Sequence, residues 1–352
     1  MSAATLTAVD APAARTTGAT RRAATVVVGV AAIAIALVVS LAFGSRSVGL
    51  TEIADGLTAW FAGRAPEDIG AIAVQERIPR TVLSLVAGAA LAVSGGVMQA
   101  LTRNPIADPG ILGVNTGAAL FVVCGIAFFG ISSTYQYLAL ALTGGALAAA
   151  FVYVVGSIGA GGATPIKLAL AGAATTAALS SLVSAVMLPR AAAMNDFRFW
   201  QVGGTGGAEW ASMAAAAPLL LVAGAVAMIC ASALNALALG DETASGLGVS
   251  VGRTRAIAAI AGVVLCAATT ALCGPIAFVG LMIPHVVRMV VGPDQRWILP
   301  ISAIGGAVLL TLADTAGRVL GSPGEVEAGI LTAFLGAPVL VMIARRTRMR
   351  GL

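Results

Sequence analysis

Charge is what this sequence has least of: Asp, Glu, Lys and Arg together make up 10% of its 352 residues, against about 25% in soluble domains. So little charge excludes a surface built to face water. Lysine occurs once, as Lys167, with Leu168 after it. That excludes the glycine-rich phosphate loop, whose lysine must be followed by Ser or Thr, so any ATP hydrolysis has to come from another chain. The single histidine, His285, excludes a multi-histidine metal site or an H-E-x-x-H helix. Four cysteines, Cys124, Cys230, Cys266 and Cys273, sit in apolar runs at spacings that match no metal or disulfide framework. No nucleophile–base set stands out either. The chain therefore reads as no enzyme, with no metal and no cofactor of its own, and no nucleic-acid partner is expected.

What is present is apolar: 59% of the residues, with a mean hydropathy of +0.99. About 20 apolar residues cross a bilayer core as a helix. In lipid every backbone N–H and C=O must be paired internally, which leaves helices or closed barrels. Barrel strands alternate at period two; these runs do not. The 43 glycines suit close helix–helix approach where lipid gives no hydrophobic drive. The fold class is all-α, a polytopic membrane protein.

Spans are predicted near 23–44, 79–101, 111–130, 136–157, 166–188, 210–235, 255–274, 276–292, 298–319 and 327–344, about ten in all. Residues 1–22 read as a disordered cytoplasmic tail, 23–345 as the membrane domain, 45–76 as a mixed loop and 346–352 as a second cytoplasmic tail. The first apolar run is too long for the core of a signal peptide and reads as a retained helix. With the N-terminus inside, the inner segments carry Arg15, Arg21, Arg22, Arg103, Lys167, Arg253, Arg255, Arg288, Arg296, Arg345, Arg346, Arg348 and Arg350. The outer ones carry Arg46, Arg64, Arg77, Arg80, Arg190, Arg198 and Arg318. Thirteen against seven of the 20 basic residues places both termini in the cytoplasm. The bias to arginine over lysine, with so much alanine, suggests a GC-rich genome and a bacterial cell membrane.

A repeat is also visible. Arg80-Thr81, Ala87-Gly88 and Pro105-Ile106-Ala107-x-x-Gly110 return as Arg253-Thr254, Ala261-Gly262 and Pro275-Ile276-Ala277-x-x-Gly280. The first copy starts at the outer face and the second at the inner, so the halves have inverted topology, a build common in transporters.

Five segments are unlike lipid-facing helix. Gln75 to Arg80 puts Arg77 and Arg80 at an outer mouth. They either dock an acidic partner through bidentate forks or anchor the interface and pair with Glu76. Arg103 to Gly110 is a two-proline elbow, stiff because proline fixes φ; it is a gate or a tight turn. Ala238 to Arg255 is the longest inner connection, either a short helix lying on that face as a handle for a partner or a plain loop. Gly280 to Arg288 sets Pro284, His285 and Arg288 on one short helix, where His285 is a proton carrier or a structural histidine. Asp314 and Arg318 lie at i and i+4 and so share a helix face.

In order along the chain, these segments read RIPRT (77–81), SGGVMQALTRNPIADPGILGVNTGA (94–118), LALAG (168–172), FWQVGGTGG (199–207), LALGDETASGLGV (237–249), GPIAFVGLMIPHVVR (274–288), LLTLAD (309–314) and TAFLGAPV (332–339). The ordered set resembles the FecCD-type permeases of ATP-binding-cassette (ABC) importers, which carry ferric siderophores, haem or vitamin B12. The match spans about Arg77 to Ile343. The resemblance implies a second permease subunit (a copy or a paralogue), two ATPase subunits that bind ATP and Mg, and a substrate-binding lipoprotein or periplasmic protein. It implies binding-protein docking at Arg77, Arg80 and Arg318. It implies a cytoplasmic gate at Asn104, Pro105 and Ile106, with Thr164 on the opposing side, where Gly161-Gly162-Ala163 replaces the hydroxyl residues frequent in relatives. And it implies ATPase coupling through 239–252, with Leu239, Gly240, Asp241, Ala244, Leu247 and Gly248 matching the pattern. A ferric siderophore is the expected cargo, haem or cobalamin the alternatives, and an ion-coupled secondary transporter the rival class.

Overall fold

The structure is a computed structural model that describes residues 16–66, 68–159, 164–190 and 201–348. The tail segments 1–15 and 349–352, with Gly161, Gly162, Ala163, Arg198, Phe199 and Trp200, lie outside the described residues. The elements are α1 (Thr16–Ala42), α2 (Leu50–Phe61), α3 (Ile69–Thr102), a 3-10 turn (Pro109–Leu112), α4 (Val114–Phe129), α5 (Thr134–Ser157), α6 (Pro165–Met187) and α7 (Trp210–Ile229). They continue with α8 (Ala231–Ala238), α9 (Asp241–Gly246), α10 (Val251–Cys273), α11 (Val279–Val291), α12 (Gln295–Leu320) and α13 (Ala328–Arg348). Among the described residues seven helices are long and apolar enough to cross a membrane, and α4, α11 and α13 are shorter apolar helices. Together they account for the ten expected spans.

The halves run α1 to α6 and α7 to α13, each with five apolar helices and a short helical insert after the first (α2 in one, α8 and α9 in the other). An odd number of crossings per half makes the second begin on the opposite face. The packing follows the same symmetry: α3 lies against α12 as α10 lies against α5, and the two equivalent helices α3 and α10 pack on each other. Ser94 Oγ donates to the Gly262 carbonyl at 2.5 Å where they meet.

The core runs along α3. At 34 residues and about 1.5 Å per residue it is about 51 Å long, well beyond the bilayer core of about 30 Å. Its N-terminus is capped by Asp68, which accepts from Gly70 N at 2.8 Å. Two glycines let its neighbours touch backbone to backbone: a Cβ on Gly88 would run into the Gly306 carbonyl of α12, and one on Gly95 into the Gly280 carbonyl of α11. A side chain at either point must push whole helices apart, because the obstacle is backbone. Gly88→Leu is expected to abolish recovery of folded protein in detergent, read as loss of the monodisperse peak on size exclusion.

Four boundaries differ from the sequence expectation. Residues 16–22, expected in the tail, are already helical, because Arg21 donates to the Met289 carbonyl at 3.4 Å and Arg22 sits 5.5 Å over the Trp297 ring. The 45–76 stretch is no loop: α2 fills it, with Ile53 and Gly56 buried and Glu52 accepting from Gly49 N at 2.6 Å. Then α3 starts ten residues earlier than the expected Pro79 and carries that proline in its interior. Finally, α11 begins only at Val279, since Phe278 holds a left-handed φ of 69°. Its 13 residues span about 20 Å. Beside this break, Gly204 N donates to the carbonyl of Cys273, the last residue of α10, at 2.8 Å, and Gly329 N donates to the Gly203 carbonyl at 2.9 Å. The Gln201–Gly207 stretch, which had no assigned role, thus covers the break between α10 and α11.

Candidate functional site

Two charged clusters sit at opposite ends of α3, about 34 Å apart for the 23 residues from Arg80 to Arg103. At the N-terminal end, the fully buried Asp314 of α12 is the centre. Its Oδ1 accepts from Arg80 Nε at 2.8 Å and from Thr205 Oγ1 at 2.5 Å. Its Oδ2 lies 3.1 Å from Arg318 Nε as an ion pair. Arg80 also pairs with Glu325 Oε2 at 2.6 Å. Arg318 Nη2 donates to the Ser40 carbonyl, Ser40 Oγ and Thr315 Oγ1 at 3.1, 2.9 and 3.1 Å. Arg77 donates to the Leu41 and Arg46 carbonyls at 2.7 and 2.6 Å. Nearby, burial pushes the Glu327 carboxyl above its ordinary range, opposed by Arg80.

The three arginines that the resemblance assigns to binding-protein docking are brought to one end of the bundle, with most of their surface turned inward. Arg77 and Arg318 are buried, their forks turned onto the Ser40 and Leu41 carbonyls at the C-terminal end of α1, which have no partner further along that helix, and onto the Arg46 carbonyl just beyond it. Arg80 keeps 11% of its side chain exposed, beside a Glu325 that is 41% exposed. The Asp314–Arg318 pairing expected from i, i+4 spacing is present.

At the other end of α3, Arg103 takes a left-handed conformation (φ 50°, ψ 32°) and stops the helix. The elbow is then self-braced: Asn104 Oδ1 accepts from Ile106 N at 3.1 Å, and Ala107 N donates to the Asn104 carbonyl at 3.1 Å. Asp108 accepts from Gly110 N at 2.8 Å and so caps the 3-10 turn. Burial pushes its carboxyl up to about 6, against that N–H. Asn104, Ile106 and Asp108 line a small cavity of about 60 Å³ with Leu168 and Ala169 of α6. Thr164 caps α6, its Oγ1 accepting from Lys167 N at 3.4 Å. The structure thus sets the elbow Asn104-Pro105-Ile106 across this cavity from the first turn of the helix that Thr164 caps.

The 239–252 segment is ordered as the short α9 between two turns. Gly240 (φ 113°) and Gly248 (φ 82°) both need positive φ, which glycine adopts without a Cβ clash. Ala244 is buried in the core cluster that includes Leu234 and Leu237, while Leu239 and Leu247 are 65% and 63% exposed. The handle therefore has one anchored face and two projecting leucines. Asp241 points elsewhere: it pairs with Arg103, and with Arg255 at 2.9 Å. The pairing of Asp241 with Arg103 spans 138 residues and leaves no local pattern in the sequence.

The model of the FecCD transport family matches residues 32–346. The chain belongs to the FecCD transport family. Two FecCD relatives are the ferric enterobactin transport system permease protein FepD of Escherichia coli (strain K12), 42% identical over 317 residues that cover 90% of this chain and 93% of the relative, and the hemin transport system permease protein HmuU of Yersinia pestis, 35% identical over 317 residues covering 89% and 94%. A solved structure of a metal-chelate type ABC transporter in an inward-facing conformation is similar at a TM-score of 0.77 and 28% identity, covering 92% of this chain and 99% of that one. Like those relatives, this FecCD chain is a transport permease, and its helical architecture is that of the solved transporter. The elbow, the cavity beside it and the handle fall inside the matched region, as does the Asp314 cluster.

Proposed function

We propose that this chain is the membrane permease of an ATP-driven importer of a ferric siderophore. The observation that supports it most is the handle: two exposed leucines on a braced turn beside the elbow, in a chain that holds no phosphate loop of its own. A motor from outside the chain needs such a seat. In this reading two ATPase subunits, with ATP and Mg, seat on Leu239, Gly240, Leu247 and Gly248. A second permease subunit, a copy or a paralogue, completes the pathway, and a substrate-binding lipoprotein or periplasmic protein delivers the chelate. The elbow end of α3 then faces the cytoplasm together with both termini, and the Asp314 end faces out. Arg77, Arg80 and Arg318 shape the docking end from within by holding α1, α3 and α12 together, and only the Arg80–Glu325 edge meets the binding protein.

The cytoplasmic gate is the closure of Asn104, Pro105 and Ile106 against the start of α6 at Thr164. ATP and the docked binding protein act by favouring different states of that closure, since a ligand shifts an equilibrium only through unequal affinity for the two states. Removing the side chain that closes it, Ile106→Ala, is expected to raise ATP-independent efflux of preloaded chelate from proteoliposomes about tenfold. Unchanged efflux would remove Ile106 from the gate.

The siderophore reading draws support from the 42% identity to the enterobactin permease against 35% to the hemin permease. Mass spectrometry of ligand co-purified with the cognate binding protein tests it. A catecholate or hydroxamate ferric chelate is expected; haem or a corrinoid in its place would reassign the cargo.

A further inference from the structure

Gly240 divides the handle from the bundle. Before it, α8 is fixed: Leu234 and Leu237 are buried, and Asn235 ties α8 to the start of α12, donating to Asp294 Oδ1 at 2.6 Å and accepting from Gln295 N at 2.8 Å. Beyond it, Asp241 opens α9, which touches the core through Ala244 alone and is otherwise exposed. Arg103 bonds on both sides of this glycine: Nε donates to the Leu237 carbonyl at 2.9 Å, and Nη2 pairs with Asp241. Its left-handed backbone is disfavoured for a residue with a Cβ, yet it aims the side chain at the handle while its own carbonyl leads into Asn104. The three charged side chains are exposed, at 39% for Arg103, 47% for Asp241 and 37% for Arg255. Exposed pairs of this kind are weak, so this contact suits opening and reclosing better than permanent bracing. The same carboxylate oxygen also accepts from Arg255 at 2.9 Å, so Asp241 keeps a cationic partner when Arg103 leaves.

We propose that Arg103 and Asp241 form a reversible clamp across the Gly240 hinge, through which displacement of α9 is passed to the elbow at Asn104-Pro105-Ile106. Arg103 is a positioning residue: it touches neither chelate nor nucleotide, and it converts movement of the handle into movement of the gate. The inference rests on the reading of the elbow as gate and of the handle as ATPase seat. It moves Asp241 from the ATPase-contact set to an internal link.

The test uses the assembled permease, ATPase and binding protein in proteoliposomes, comparing Arg103→Met, Arg103→Lys, Asp241→Asn and Arg255→Met. The readouts are chelate taken up per ATP hydrolysed, and co-purification of the ATPase. Arg103→Met is expected to lower uptake per ATP at least tenfold with the ATPase still bound. Arg103→Lys keeps the charge and should stay within about threefold of wild type, and Arg255→Met, which bears on α10 and not on the elbow, should do the same. Asp241→Asn opens the clamp from its other side and should reproduce the loss, so the proposal stays testable if Arg103→Met fails to fold. Unchanged uptake per ATP in both clamp variants overturns the proposal. So does loss of ATPase binding in either, which would make the residue a partner contact, or a lysine variant as impaired as the methionine one. Failure of the wild-type complex to take up chelate with ATP would instead refute the functional reading beneath it.

Discussion

Asp314→Asn is expected to destabilise the protein by about 3–5 kcal/mol, the usual consequence of removing one member of a buried ion pair. The carboxylate is fully buried and has Arg80 at 2.8 Å and Arg318 at 3.1 Å. Asparagine keeps the shape and the hydrogen-bonding oxygen but leaves two guanidinium groups facing a neutral amide. Arg80 retains Glu325 at 2.6 Å; Arg318, almost entirely buried, retains only neutral oxygens from Ser40 and Thr315. The penalty is therefore mostly that of Arg318. It follows that Asp314→Leu combined with Arg318→Met should recover more than half of the loss, since an apolar replacement strands no charge. Thermal melting of purified protein in detergent checks both variants. A single mutant melting within about 1 °C of wild type would show that the cluster is not what holds this end of the bundle together.

The second large effect is expected at the handle. Replacing Leu239 and Leu247 together by aspartate should weaken ATPase binding at least 100-fold. Burying a leucine in an interface contributes about 1.5–3 kcal/mol, so two lost leucines account for about 3 kcal/mol or more, and a factor of 100 needs about 2.7 kcal/mol. Both side chains are mostly exposed, so the melting temperature of the permease should move little. Substituting Ala244 would confound the experiment, because it is buried in the core. Pull-down of the ATPase with the double variant reads the result directly. Retained binding would mean that the motor seats elsewhere.

The two ends were legible in the sequence to different degrees. Apolar run length placed the ten apolar helices among the described residues, because crossing a bilayer as a helix takes about 20 apolar residues whatever their neighbours. The same logic failed on α2, which is short, charged and amphipathic, and whose helix depends on Glu52 capping and on Ile53 packing. It also failed at the start of α11, where Phe278 takes a left-handed φ that Gly336 of α13 makes room for, a fact about tertiary contact. Counting arginines by loop put Arg77, Arg80 and Arg318 at one end correctly, but a linear pattern cannot say which way a guanidinium turns. Here the free carbonyls of α1 and the acid on α12 take them inward. On the handle, the sequence left a short surface helix or a plain loop open, and the family resemblance marked Leu239, Ala244 and Leu247; the glycines at 240 and 248 fall where the backbone takes positive φ. Asp241 looked like one more residue of that surface. Its pairing with Arg103 arises only because α3 and α9 end side by side.

In the proposed function, this permease moves a ferric chelate only when an ATPase drives it. The most direct measurement is uptake of radiolabelled ferric siderophore into proteoliposomes that contain the chain, its ATPase and its binding protein, with and without ATP in the ATPase compartment. The account predicts uptake that needs all three proteins and ATP, and that persists when proton and sodium gradients are collapsed. Uptake by the chain alone, driven by an ion gradient without ATP, would contradict it.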